Sequence, residues 1–443
     1  MIAKLYFKTL ILALALLLSA CQSFPTTFLT SESTQDIAHT EAPSIEQKIE
    51  AQEPELDFTP CLAEQEQMDP EAFSNVWQRV KQQLAMDVPD NRRIRAQQNW
   101  YSKHPEYMQR VSERAAPYLY YIVEELEKNN MPLELALLPI VESAFDPFAY
   151  SHGRASGMWQ FIPGTGKSFG LEQNWWFDGR RDVHLSTQAA IKYLNNLNKR
   201  FDGNWLHALA AYNSGGGNVN RAIRKNRKKG KATDFRSLDL PKETRAYVPK
   251  LLALANILKL NNDENLWTPI LNAPYFERVA THSQIDLSLA ASLAEISMTE
   301  FYQLNPAYNQ WATAPKGPHQ ILLPINKVAT FQQNLNKIPT QQRISFKKYK
   351  VKKGDSLIRI AKKFATQVNL LKDNNNLRGN AIREGQNLLI PVASKAREAY
   401  QKSAQQRLIT SNQHATPMGA LSRHRRLVLI RCESTRFISF FTR

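Results

Sequence analysis

An apolar run that ends in a lone carboxylate constrains this chain more than any other stretch. Within residues 135–160 (LALLPIVESAFDPFAYSHGRASGMWQ), Glu142 follows Leu137, Leu138, Pro139, Ile140 and Val141 and precedes Ser143, Ala144 and Phe145. On a helix, Leu135, Leu138 and Glu142 share a face at i, i+3 and i+7. A carboxyl group so placed sits half inside the core, where desolvation disfavours its charged form, so its pKa is expected to rise. Such an acid stays protonated near neutral pH and can donate its proton. The same pattern also fits a structural glutamate near a helix end, paired with an arginine.

The surrounding periodicity is helical. It begins near Phe73, Val76, Trp77, Val80 and Leu84, and resumes over 117–126 with Tyr118, Tyr121, Ile122 and Leu126 on one face. Met131-Pro132 restarts the chain into the helix that carries Glu142, and Asp146-Pro147 ends it. Residues 151–170, rich in Gly and short side chains, read as loops and short β structure. Ser186 opens a helix with Ala189, Ala190, Tyr193, Leu194 and Leu197 on its apolar face. A further helix over 205–212 stops at Gly215, Gly216 and Gly217. The basic run 221–231 reads as a helix end and loop, either solvated or touching anionic lipid or glycan. Residues 243–260 close the domain, with Val248, Leu251, Leu252, Ala255 and Leu258 facing inward.

Four short motifs then fall in order: Glu142-Ser143; Gly157-Met158-Trp159-Gln160-Phe161; Ala211-Tyr212-Asn213-Ser214-Gly215; and Glu243-Thr244-Arg245-Ala246-Tyr247-Val248. In this order and spacing the stretch from about 117 to 260 closely resembles the catalytic domain of family 1 lytic transglycosylases, related to goose-type lysozymes. The resemblance implies a lysozyme-like domain over 71–265 that cleaves the β-1,4 MurNAc–GlcNAc bond of peptidoglycan with no cofactor and no metal. It implies Glu142 as the single acid and then base, with the muramic N-acetyl group stabilising the cationic centre and the C6 hydroxyl closing a 1,6-anhydro ring. Most glycoside hydrolases use two carboxylates. Asp146 is the nearest second candidate, and the adjoining Pro147 suggests that it leaves or caps the helix.

The remaining site residues carry roles by the same resemblance. Tyr212 is expected to place its hydroxyl near Glu142 or the substrate, with plain core packing as the alternative. Ser143 and Asn213 are small polar groups able to hold active-site loops. Gly157 lets a sugar approach the backbone, and Gln160 can donate and accept to an N-acetyl group. Family sequences often carry Leu-Met between this Gly and Gln; Met158-Trp159 departs from that and offers a larger apolar wall. Tyr247 matches a tyrosine that borders the family's cleft. Trp175 and Trp176 are either sugar-stacking platforms or packing residues. His152, His184 and His207 show no metal-ligand pattern.

At the N-terminus, Lys4 and Lys8 precede an apolar run over 10–18 that is too short to span a bilayer and suits a signal sequence. It ends in Leu18-Ser19-Ala20-Cys21, which resembles a bacterial lipobox, so Cys21 is expected to be lipidated; an ordinary cleaved signal is the alternative. Gln22 after the cysteine resembles the sorting signal for the outer membrane, which implies an anchored protein on its periplasmic face. Nucleic acid is then excluded as a partner, although the net charge of +17 would otherwise allow it. Residues 22–70 are polar, acidic and dotted with Pro43, Pro54 and Pro60, a tether composition. With only Cys61 and Cys432 left, no disulfide framework is indicated.

Residues 348–392 alternate at Tyr349 and Val351, turn at Lys353-Gly354-Asp355, and present two helix faces, Leu357, Ile360, Ala361 and Phe364, then Val368 and Leu371. A strand through Leu388, Leu389 and Ile390 closes them. This βααβ pattern strongly resembles a LysM module, which binds N-acetylglucosamine-containing glycans. Shifting its register back by about 70 positions sets Ala361 over Ala291, Leu371 over Phe301 and Asn375 over Asn305. Residues 276–325 are therefore expected to form a degenerate LysM-like module, structural rather than glycan-binding. The tail 393–443 fits no module. The fold expected is α+β and mainly α. Its partners would be peptidoglycan glycan strands and, through the N-terminal lipid, the membrane. A water-using muramidase and a catalytically dead LysM adaptor remain as other readings.

Overall fold

The computed structural model describes residues 73–260 and 266–394. Cys21, the acidic tether and the basic tail lie outside those residues. Helices come first: α1 (Val76–Gln82), α2 (Arg92–Ser102), α3 (Pro105–Ala115) and α4 (Leu119–Lys128). A 3-10 turn over Leu133–Leu137 then leads into the short α5 (Leu138–Ser143). After it come α6 (Pro163–Ser168), α7 (Val183–Arg200), α8 (Trp205–Ser214), α9 (Gly216–Lys228) and α10 (Lys242–Leu260). Their apolar faces converge on one core in which Trp159, Leu138, Leu194, Ala211 and Leu254 are fully buried.

Part of the stretch read as loops is helical, and the basic run is the helix end and loop expected of it. The 163–168 stretch contains Gly164 and Gly166 yet forms α6, because Pro163 sits at its first turn and Gly166 leaves room for Arg180. The basic run is carried by α9, which starts directly after Gly215, whose φ of 85° turns the chain. Its inner face is Val219, Ala222 and Asn226, and Asn226 Nδ2 donates to the Ala232 and Ser237 carbonyls. α7 starts at Val183 rather than Ser186: Asp182 caps it by accepting from the Leu185 amide, and the Ser186 hydroxyl donates back to the Asp182 carbonyl.

Downstream, β1 (Phe276–Ala280), α11 (Leu287–Leu293), α12 (Met298–Leu304) and β2 (Gln320–Pro324) make a strand–helix–helix–strand unit. β1 pairs antiparallel with β2, Phe276 opposite Pro324 and Ala280 opposite Gln320. α13 (Ile325–Asn336) packs on the outside of this pair and leads to β3 (Ser345–Lys350). A second such unit follows: β3, α14 (Leu357–Lys363), α15 (Val368–Asn374) and β4 (Asn387–Val392), with Tyr349 opposite Leu388. Its own small core joins Tyr349, Val351, Leu357, Ile360, Leu371, Leu388 and Ile390.

Asn305 and Asn375 occupy equivalent places in the two units. Asn305 Nδ2 donates to the Leu322 carbonyl and its oxygen accepts the Leu322 amide; Asn375 does the same with Leu389. A side-chain amide carries a donor and an acceptor side by side and so satisfies the carbonyl and amide of one strand residue at once. No helix among the described residues is long and apolar enough to cross a membrane.

Candidate active site

Glu142 ends its helix abruptly. Ala144 and Phe145 both adopt left-handed backbone, at φ 52° and 56°, so α5 stops three residues before Pro147. Consecutive non-glycine residues in that region are costly and persist only where packing holds them. Phe145 is fully buried, and that burial anchors the turn. The helix also begins later than its apolar pattern suggests, because residues 133–137 wind as a 3-10 turn and Pro139 takes the first turn of α5.

Glu142 is half-buried. Burial pushes its pKa from the ordinary 4.5 up to about 7; the exposed Glu243 adds to the rise, while the Tyr247 hydroxyl bond and the Lys250 ammonium oppose it. The Tyr247 hydroxyl donates to Glu142 Oε1 across 105 residues of sequence. Glu243, Tyr247 and Lys250 share one face of α10 at i, i+4 and i+7. Lys250 is half-buried and its own pKa is lowered, chiefly by desolvation. Neither Lys250 nor the pairing of Tyr247 with Glu142 carried any periodicity signal of its own.

Residues 157–161 form a strap beside Glu142, tied down by bonds to its carbonyls. The Ser143 hydroxyl donates to the Met158 carbonyl at 2.9 Å, and the Tyr212 hydroxyl to the Trp159 carbonyl at 2.8 Å. Gln160 Nε2 donates to the Gly157 carbonyl at 2.8 Å and to Ala149 at 3.3 Å. Ser143, Tyr212 and Gln160 thus all spend polar atoms on the strap. Tyr212 is still close enough for the Glu142 charge to help raise its pKa, after desolvation. Asn213 accepts from the Thr244 hydroxyl at 2.8 Å and so joins α8 to α10.

The side chains of Met158 and Trp159 turn inward, 1% and 0% exposed, and Trp159 Nε1 donates to Thr187 at 3.0 Å. The expected apolar wall is therefore core, and only the backbone carbonyls of these residues face the site's hydrogen bonds. Gly157 has φ 81°, and a Cβ there would lie 2.1 Å from the Arg180 carbonyl oxygen. Its need for glycine comes from the protein's own backbone.

The second carboxylate is committed elsewhere. Asp146 is buried, and its Oδ1 accepts the Phe148 amide at 2.8 Å, holding the turn after Phe145. Trp176 is buried in a core, and Trp175 stacks edge-on against it. His184 meets the Tyr121 hydroxyl at 2.6 Å, and His207 is buried against Phe201. A cavity of about 470 Å³ is lined by Gln188, Lys192 and Lys199 of α7, and Glu142 is not among its lining residues.

The arrangement is one carboxylic acid with a raised pKa beside a strap of backbone carbonyls, able to donate and recover a proton. The sequence profile of the transglycosylase SLT domain matches residues 120–235, that of the LysM-like domain of lytic transglycosylase MltD matches 275–340, and that of the LysM domain matches 349–391. Membrane-bound lytic murein transglycosylase D of Escherichia coli is 39% identical over 337 residues, spanning 73% of this chain and 74% of that protein. Membrane-bound lytic murein transglycosylase F of Desulfosudis oleivorans is 31% identical over 124 residues, 26% of each chain. With that extent of identity along the greater part of both chains, the protein belongs to the family of membrane-bound lytic murein transglycosylase D.

Proposed function

We propose that this peptidoglycan lytic transglycosylase cleaves the β-1,4 bond between MurNAc and GlcNAc without water, leaving a 1,6-anhydro-MurNAc end, with Glu142 as its only acid and base. The observation that carries this reading is a carboxyl group held near pKa 7 with its neighbour Asp146 bound into a turn. Tyr247 donates to Oε1, which leaves Oε2 to carry the transferable proton. Glu142 gives that proton to the glycosidic oxygen as the C1–O bond breaks, and the muramic N-acetyl oxygen stabilises the cationic C1. The resulting carboxylate then takes the C6 hydroxyl proton while O6 bonds to C1. Glu142 ends as it began, and no water is consumed.

The strap contributes by position. Ser143, Gln160 and Tyr212 fix its carbonyls, and Gly157 lets the strap close against the Arg180 carbonyl. Asn213 holds the α8 end against α10, the helix that brings Tyr247 to Glu142. Beyond the catalytic domain, the LysM unit over 349–391 holds glycan strands close, and a lipid on Cys21 with the acidic tether keeps the enzyme at the periplasmic face of the outer membrane.

The test is digestion of isolated peptidoglycan by the full chain and by Glu142→Gln, with released fragments weighed by mass spectrometry. Fragments one water lighter than reducing-end products, lost with the variant, are expected. Reducing-end products that depend on Glu142 would make the enzyme a muramidase, and wall binding without release would make it an adaptor.

A further inference from the structure

The unit over residues 275–340 does not close its own core. Trp176 and Phe177, from the loop before α7, are buried within it beside Phe301, Tyr308 and Phe331. In exchange, Leu304 and Leu322 of the unit belong to the core of the catalytic domain. The backbones are joined as well. Phe177 pairs with Tyr308 in an antiparallel bridge, their rings 5.4 Å apart and edge-on, and the Asp178 amide donates to the Ala307 carbonyl at 2.9 Å. The Asn309 amide donates to the Trp176 carbonyl at 2.8 Å, and its side-chain Nδ2 to the Asn174 carbonyl at 3.1 Å.

From this joint a short path leads to the active-site strap. Asp178 pairs with Arg180 through both oxygens, at 2.9 and 2.7 Å. Arg180 Nη1 donates to the Arg154 carbonyl just before the strap and to the Phe161 carbonyl at its end, and the Arg180 carbonyl presses on Gly157. Arg181 reaches into the downstream unit, where it donates to the Asn309 side chain and to the Ala307 carbonyl. Both guanidinium groups are almost fully buried, so losing an acceptor cannot be made good by water.

We infer that the LysM-like unit is the footing of the active site: it positions the Gly157–Phe161 strap beside Glu142 through Asp178, Arg180 and Arg181, and Asn309 is its key positioning residue. A glycan-binding module would show a self-contained core and a free surface. Here the unit takes two aromatic residues from its neighbour and returns bonds to the segment under the strap.

The inference rests on the reaction proposed above, and kinetics on peptidoglycan with the full chain separate the two. Asn309→Leu, which keeps the γ-branched outline and removes the acceptor for Arg181, is expected to lower kcat about tenfold, because sub-ångström misplacement of a catalytic wall is costly. Apparent KM and wall binding should stay within about twofold of wild type. Asn309→Asp, which restores an acceptor for Arg181 but not the donor to the Asn174 carbonyl, should recover part of kcat. If Asn309→Leu does not fold, Asn309→Ala, which removes the same acceptor without added bulk, carries the same comparison. A raised KM at unchanged kcat would make the unit a substrate-binding module, and no change in either would leave the strap self-supporting; both outcomes overturn the inference. Wild-type enzyme that releases no fragment one water lighter would instead refute the reaction.

Discussion

Replacing Glu142 by Gln should stabilise the protein, and by an amount that depends on pH. In the fold, burial raises this carboxyl from 4.5 to about 7. A raised pKa means that the fold favours the neutral form. Below about pH 4.5 the group is neutral in both folded and unfolded chains and contributes no difference. Between 4.5 and 7 the unfolded carboxyl ionises freely while the folded one resists, so wild-type stability falls as pH rises. Above pH 7 the loss is complete. At 1.36 kcal/mol per pH unit, the displacement is worth about 2–3 kcal/mol, the lower end allowing for the residue's partial exposure. Gln is neutral throughout and still accepts from Tyr247, so the variant escapes this loss. For a domain of this size the gain corresponds to about 5–10 °C in melting temperature at pH 8, shrinking to nothing near pH 4.5. Calorimetry of both proteins across that range measures it. A difference that stays constant with pH would show that Glu142 titrates normally and would remove the physical basis for its role as acid.

Charges on the inner face of α10 should tune the same proton. Lys250→Met removes a cation that lowers the Glu142 pKa and should move the alkaline limb of the pH–rate profile upward, whereas Glu243→Gln should move it downward; coincident profiles would refute the coupling. Gly157→Ala should destabilise by more than about 2 kcal/mol, combining a left-handed backbone with a contact of 2.1 Å to the Arg180 carbonyl, as read by urea denaturation. Phe177→Ala should cost about 3–5 kcal/mol by emptying an aromatic site, and should loosen hydrogen-exchange protection in α11–α13 although residue 177 precedes them by more than a hundred positions.

The long periodic helices were legible because many residues on one face are buried: α7 hides Ala189, Ala190, Leu194 and Leu197, and α10 hides Val248, Leu251, Leu252, Ala255 and Leu258. α2 and α3 both went unread, although α3 buries Met108, Val111, Ser112 and Ala115 at i, i+3, i+4 and i+7, a stripe its sequence does carry. α2 hides only Ile94 and Tyr101 among polar residues, too sparse a stripe to register as a period. At the site, the burial of Glu142 followed from the apolar run that precedes it. The partner that bonds it did not, since Tyr247 lies 105 residues away and only the folded arrangement of α10 against α5 joins them. The two readings of Trp175-Trp176 could not be separated in sequence because an aromatic pair in a loop fits a sugar or a core equally well. The structure assigns Trp176 to a core, one built largely by residues that come later in the chain.

That loan of Trp176 and Phe177 has a consequence for the order of events during synthesis. Val279 and Ile285, the next residues of the same core, emerge roughly a hundred residues later. Until they do, the newly made catalytic helices carry a bare aromatic patch, a site for chaperone capture or for sticking to another nascent chain. A fragment trimmed at residue 265 would keep that patch for good. The shortest piece of this chain that is well behaved in solution should therefore run to the end of α13, and enzymologists who cut it at the edge of the catalytic motifs should find it aggregating.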